Sequence, residues 1–303
     1  MTWPSWAGEK TRIANSLSRH QHPLPGIAAP AALDCLATQF IASLRRESYY
    51  QVVQRGPIHP RRADPNDPGF DAERAVAYHV QNGDVDEAAW LVFLMTHFAR
   101  PVDTGWLRLR DVYGRLGQGR WDWATVSGNP AAFNAWLAAN WQGIRGKFGN
   151  HRKYESLRPN ASRPMSAVVD SYVRWIGPAG HARFFADVVR RAGNDPHAIF
   201  DVLYRELPMP TFGRLARFDY LSLIGRYRIA PIAAGSAYLD GATGPAMGAR
   251  LLLDGQARSA TPLHVLQARL DVLDRDLGVG MAVMEDALCN WQKSPDRFVH
   301  FKG

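Results

Sequence analysis

Residues 145–155, RGKFGNHRKYE, bring Arg145, Lys147, His151, Arg152 and Lys153 into one short run beside a single acid, Glu155. Like charges at that density repel unless an anion lies among them, so the run is expected to clamp phosphate or pyrophosphate. Gly146 and Gly149 would let the backbone approach such a ligand closely. A solvated basic loop is the plain alternative.

Four further constellations carry potential chemistry. In FGRLARFDYLSLIGRYR (212–228) apolar residues surround the helix, while Asp219 and Arg226 fall seven apart on one stripe with Ser222 beside them. A buried carboxylate and guanidinium need partners. The pair is either a structural ion pair, or Asp219 serves as general base and Arg226 as an anion clamp. DGATGPAMGAR (240–250) reads as a turn followed by a helix start with proline at its first position. Free N–H groups at Thr243 and Gly244 would bind an anion there, with Arg250 further along. An ordinary helix start is the simpler explanation of that segment. In MEDALCNW (284–291) Glu285 and Cys289 share a helical face and Asp286 adjoins it; Glu285 is a candidate substrate-contacting acid, and Cys289 reads as core. His97, closing a strongly apolar stretch ahead of Arg100, is either a satisfied core histidine or a catalyst. No GxGxxG, GxxxxGK[ST] or GxSxG motif occurs, and no histidine pair has metal-ligand spacing.

The elements that must position these residues are helical, and the expected class is all-α. Asp71 opens a short amphipathic stretch ending at Asn82-Gly83-Asp84. Asp86-Glu87 then leads AAWLVFLMTHF, apolar nearly all round and so expected as a central buried helix. Further helices are expected near 29–55, 104–116, 130–144, 165–176, 179–192, 195–206, 211–227, 245–253, 262–276 and 280–292. Arg55–Gly69, rich in proline, is expected as a surface loop. The run Arg158–Pro164 is expected as the seam between an N-terminal lobe, 1–157, and a C-terminal lobe, 165–303, unless the two form one continuous domain.

Composition narrows the class. The chain has 303 residues, 46% of them hydrophobic, enough to build a core of one or two domains. Its longest apolar run, Ala88–Met95, is far short of the ~20 residues a membrane span needs. The opening MTWPSWAGEK leads to no secretory signal, and two cysteines support neither a disulfide framework nor a four-cysteine zinc site, so a cytoplasmic setting is expected. Net charge is +8, and only five of the 36 basic residues are lysine. The arginine excess suits a polyanion partner, although a GC-rich coding sequence would also produce it.

Taken in order, GDVDEAAWLVFLMTHFARPVDTGWLRLRDVYGRLGQGRWDW, RGKFGNHRKYESLRP, PMPTFGRLARFDYLSLIGRY, AYLDGATGPAMGARLLL and MEDALCNWQK resemble the clade 3 alpha-glutamyl/putrescinyl thymine pyrophosphorylases, also described as amino acid:DNA transferases. The likeness spans roughly residues 29–295. It implies a two-lobed helical architecture like that of helix-hairpin-helix DNA glycosylases. It further implies a role in thymine hypermodification of bacteriophage DNA, in the host cytoplasm. There a 5-hydroxymethyluracil base, activated as its pyrophosphate ester, exchanges pyrophosphate for the amine of an amino acid or polyamine.

That chemistry assigns roles to the residues above. Arg145, Lys147, His151, Arg152 and Lys153, with Thr243, Gly244 and Arg250, would stabilise the departing pyrophosphate. Asp219, then Glu285 or His97, would take the proton of the amine. Arg217 or Arg226 would hold an amino-acid carboxylate, and Tyr220, Trp106 or Trp141 would stack on a base flipped from duplex DNA. No cofactor is required, and magnesium on the pyrophosphate is compatible with the scheme. The rivals are a DNA glycosylase or lyase on the same scaffold and a non-catalytic DNA-binding protein.

Overall fold

A computed structural model describes residues 3–301. Among them the chain is all-α: fourteen α-helices, 64% helical residues and no strand. The first seven are α1 Ala7–Arg19, α2 Pro30–Arg55, α3 Ala72–Gln81, α4 Val85–Phe98, α5 Leu107–Tyr113, α6 Trp123–Gly128 and α7 Pro130–Asn140. The remainder are α8 Met165–Ile176, α9 Gly180–Ala192, α10 Pro196–Glu206, α11 Arg214–Arg226, α12 Thr243–Asp254, α13 Leu263–Leu277 and α14 Met281–Trp291. No helix is long and apolar enough to cross a membrane.

Side-chain caps set several of the helix starts. Asp71, Asp84, Asp122 and Asn129 each accept a hydrogen bond from the backbone N–H three residues on, satisfying a donor that the first turn cannot. Two helices escaped the periodicity. α1 buries only Ile13 and Leu17 on an otherwise polar cylinder, and α6 has six residues, under two turns. The helix expected over 104–116 is shorter because Arg115 and Leu116 adopt positive φ and end it.

The chain divides into two units. One holds the described residues up to Tyr49 together with those from Ala234 onward; the other holds Tyr50–Ala233. The expected seam at Arg158–Pro164 therefore lies inside the second unit. A proline-rich run bends the chain there, but helices on both sides of it pack into the same core: α7 against α8, and α4 against α9 and α11.

In the first unit, α12 and α14 approach closely because glycines line the contact. A Cβ on Gly248 would sit 2.3 Å from the Leu288 carbonyl oxygen, and one on Gly244 would sit 2.7 Å from Cys289 Sγ. Small residues in the sequence motif thus serve helix packing.

The second unit is built around α4, where every residue from Glu87 to Phe98 is buried. Phe93 stacks on Tyr172 of α8 with ring centroids 4.0 Å apart and on Phe212 at 5.6 Å. Each large apolar side chain so buried contributes about 1.5–3 kcal/mol. Several polar groups inside are paired in chains. Asp86 accepts from the His181 ring at 2.8 Å; His181 Nε2 lies 2.7 Å from the Tyr172 hydroxyl; that hydroxyl lies 3.0 Å from the Tyr220 hydroxyl. Glu87 accepts from the Trp123 backbone N–H at 2.7 Å and from the Tyr113 hydroxyl, tying α4 to α5 and α6.

Candidate active site

The end of α4 and the basic run meet at one place in the second unit. α4 stops at Ala99, which takes a left-handed φ of +47°, and the chain turns out through Arg100. Gly149 donates its N–H to the Phe98 carbonyl at 2.9 Å. A Cβ on Gly149 would lie 2.6 Å from Ala99 Cβ, so this contact requires glycine. Gly146, at φ +67°, is held against α5, where a Cβ would come within 3.0 Å of the Arg108 backbone nitrogen. Both glycines were expected to admit a ligand; they admit neighbouring protein backbone instead.

The resulting cleft has a volume of about 530 Å³. Arg100, Arg108, Lys147 and Lys153 line it, together with Asp103 and Glu155. Lys147 Nζ pairs with Asp103 at 2.6 Å, and Arg100 reaches Glu73 at 3.4 Å. The salt bridge holds the Asp103 carboxyl below its usual range. Arg108 lies over the Phe148 ring and donates to the carbonyls of Arg145 and Gly146. Lys153, exposed, lies 5.2 Å from the ring centroid of Tyr154. Val102, 76% accessible, lines the cleft, while Tyr154, 71% accessible, adjoins Lys153 in sequence without lining it.

Beneath the cleft, Arg152 is a clasp. It is buried, donating to the His97 carbonyl at 3.3 Å, the Thr211 carbonyl at 2.8 Å and Thr211 Oγ1 at 3.1 Å. Its guanidinium lies over Phe212 and 3.4 Å from Glu155. Arg152 thus joins three segments distant in sequence.

A family model described as alpha-glutamyl/putrescinyl thymine pyrophosphorylase clade 3 matches residues 31–303, nearly the whole chain. The chain belongs to that family. Its name is that of an enzyme acting on thymine, with DNA carrying modified thymine as the implied substrate. No curated protein and no solved structure matches, so the expected likeness to helix-hairpin-helix glycosylases finds no counterpart there.

Within this chain the sequence-expected residues divide sharply. Lys147 and Lys153 reach the cleft. Arg145 does not act as a free clamp: its backbone N–H, Nε and a terminal nitrogen all bond the buried Asp111 carboxylate, at 2.9, 2.9 and 2.8 Å. Arg152 is committed to the interior, as described. His97 is 1% exposed, walled by the rings of Phe93, Phe98 and Phe148. Burial and the Arg152 charge push its pKa well down, and unlike Glu155 it does not line the cleft, so it is a core residue rather than a solvent-side base.

Tyr220 is fully buried in the Asp86–His181–Tyr172 chain and offers no stacking face. Trp106 and Trp141 are half-buried, and neither lines the cleft. Arg217 spends its donors on the carbonyls of Phe212 and Tyr204, at 2.9 and 3.2 Å. Arg226 lies over the Tyr50 ring at 5.5 Å.

Asp219 and Arg226 were expected on a buried stripe, yet both are half-exposed. Leu215, one turn before Asp219 on the same face, is 41% exposed and marks that stripe as the solvent side of α11. Asp219 Oδ2 lies 3.7 Å from His151 Nε2, a ring whose pKa burial and Arg152 lower.

Thr243, Gly244, Arg250 and Glu285 all belong to the first unit. Thr243 is exposed at the start of α12, Pro245 is its third residue rather than its first, and Glu285 is buried on α14. Asp286 beside it accepts from Ser43 at 2.6 Å and from Arg46. Sequence reasoning missed Arg108, whose position on α5 gave no sign of the fold bringing it to the basic run. Among the described residues no group of three or more His, Cys, Asp or Glu side chains is arranged to hold a metal ion.

Proposed function

We propose that this chain transfers an amine to DNA, displacing pyrophosphate from an activated 5-hydroxymethyluracil base. The supporting observation is the cleft in which Arg100, Arg108, Lys147 and Lys153 converge on a volume suited to a pyrophosphate and its attached methylene. Breaking the methylene–oxygen bond builds negative charge on the leaving oxygens, and fixed cations beside them lower the barrier. Their positions owe nothing to the ligand: Arg108 is held by backbone carbonyls and the Phe148 ring, Lys147 by Asp103. The donor is the free amine of an amino acid or a polyamine. Magnesium enters only as a counter-ion carried by the pyrophosphate.

The base must leave the helix to enter such a cleft, at a cost of a few kcal/mol. Val102, exposed in the cleft lining, supplies an apolar surface to the base, and Tyr154, next to Lys153 but outside that lining, is the exposed aromatic residue adjoining it in sequence. Asp219 with His151 is one acid–base pair of this unit; Glu155 in the cleft is another carboxylate.

The test is incubation with DNA carrying the activated base and a set of candidate amines. Pyrophosphate release that depends on the amine supports transfer. Base loss with abasic sites would make the chain a glycosylase instead. Salt-sensitive binding with neither product would leave a DNA-binding protein.

A further inference from the structure

Glu155 differs from every other acid of the cleft. Asp103 is exposed and neutralised by Lys147, whereas the Glu155 side chain is only 3% accessible. Arg152 holds its Oε1 at 3.4 Å, fixing the carboxyl group. Its other oxygen, Oε2, is buried and makes no hydrogen bond of normal geometry, although the Thr211 hydroxyl neighbours and bonds the carboxyl group. An unsatisfied buried carboxylate oxygen is among the costlier defects a fold can retain. Here it is retained at a residue lining the cleft where four cations gather.

We propose that Glu155 Oε2 receives the ammonium group of the incoming amine and takes its proton before attack. The inference rests on the transfer reaction proposed above. A protonated amine entering the cleft meets Arg100, Arg108, Lys147 and Lys153, all of which favour its neutral form, and Oε2 is the unoccupied acceptor. One N–H proton passes to Oε2. The freed nitrogen lone pair forms the bond to the methylene carbon, and the carbon–oxygen electron pair leaves with pyrophosphate. The product nitrogen carries its remaining two hydrogens as a secondary ammonium, so charge and atoms balance.

The groups facing Glu155 agree with this role. Burial raises its pKa, opposed by Arg152, Thr211 and Arg163, so its proton affinity lies nearer that of an amine than an exposed glutamate's does. Asp219 is the competing acceptor, but it stands on α11, paired with His151, and does not line the cleft.

The discriminating experiment compares two nucleophiles in Glu155→Gln: glycine, protonated at neutral pH, and methoxyamine, which is already unprotonated. Pyrophosphate release with glycine should fall by about 10²–10⁴-fold, while release with methoxyamine stays within a few-fold of wild type. Equal loss with both amines, in a variant with an unchanged melting curve, would overturn the assignment, as would amine-selective loss in Asp219→Asn instead. Should Glu155→Gln fail to fold, wild type alone decides. Its glycine rate should rise with pH through a titration lying well below that of free glycine and absent with methoxyamine, and identical pH profiles, or a rise that follows free glycine's own ionisation, would reject the role. A wild-type enzyme inert toward every amine would instead reject the transfer reaction itself.

Discussion

Replacing Glu87 by glutamine tests whether the interior around α4 is correctly understood. This carboxyl is 5% exposed, and burial, outweighing its bonds from Trp123 and Tyr113, raises its pKa from 4.5 to about 7. The folded chain therefore binds a proton more tightly than the unfolded one. Stability from this group is fully present below the unfolded pKa and is lost as pH rises through the folded one. A shift of that size amounts to roughly 3 kcal/mol, most of it between about pH 5 and pH 8. Glutamine keeps an acceptor for the Trp123 N–H and cannot ionise. Urea unfolding at both pH values should show Glu87→Gln gaining on wild type by roughly 2–3 kcal/mol at the higher pH. A difference independent of pH, or one growing toward low pH, would mean that Glu87 is ionised at little cost and that its surroundings are misread.

Three other outcomes are expected. Gly149→Ala forces its Cβ against Ala99 and should lower stability by about 1–3 kcal/mol, read as a shift in the thermal midpoint. Tyr172→Phe removes the hydroxyl between His181 and Tyr220 and should cost about 1–3 kcal/mol in chemical unfolding, since both partners stay buried. Lys153→Ala should weaken binding of pyrophosphate-bearing DNA and lower the salt slope by about one, whereas Arg145→Ala, its charge spent on Asp111, should leave binding nearly intact. Equal effects of the two would mean that both simply hold the DNA backbone.

Much of the helical framework was legible in sequence because it rests on local rules. Asp86-Glu87 in the first turn of α4 and the unbroken apolar run behind them announce a buried helix, and 165–176 reads off its periodicity residue for residue. The site was legible only in part. Lys147 and Lys153 stood out by density, yet the same density misassigned Arg145 and Arg152, whose partners Asp111 and Thr211 are remote in sequence. No spacing rule announces such pairs. Asp219 was taken as buried because apolar neighbours seemed to encircle α11, whereas the exposed Leu215 belongs to its solvent face. Tyr220 was taken for a stacking surface because an aromatic residue looks the same in sequence whether it faces a ligand or fills a core. Glu155 was visible as an acid among bases, but its unsatisfied oxygen exists only in three dimensions.

The central claim is that nitrogen replaces pyrophosphate on the thymine methylene within the Arg100–Lys153 cleft. Mass spectrometry of nucleosides digested from activated-base DNA, after incubation with the protein and isotopically labelled glycine, addresses it directly. The account predicts a new nucleoside carrying the label on its base, formed in step with free pyrophosphate and lost when Lys147 and Lys153 are both replaced by alanine. Unlabelled nucleosides, or label incorporation indifferent to those two lysines, would contradict it.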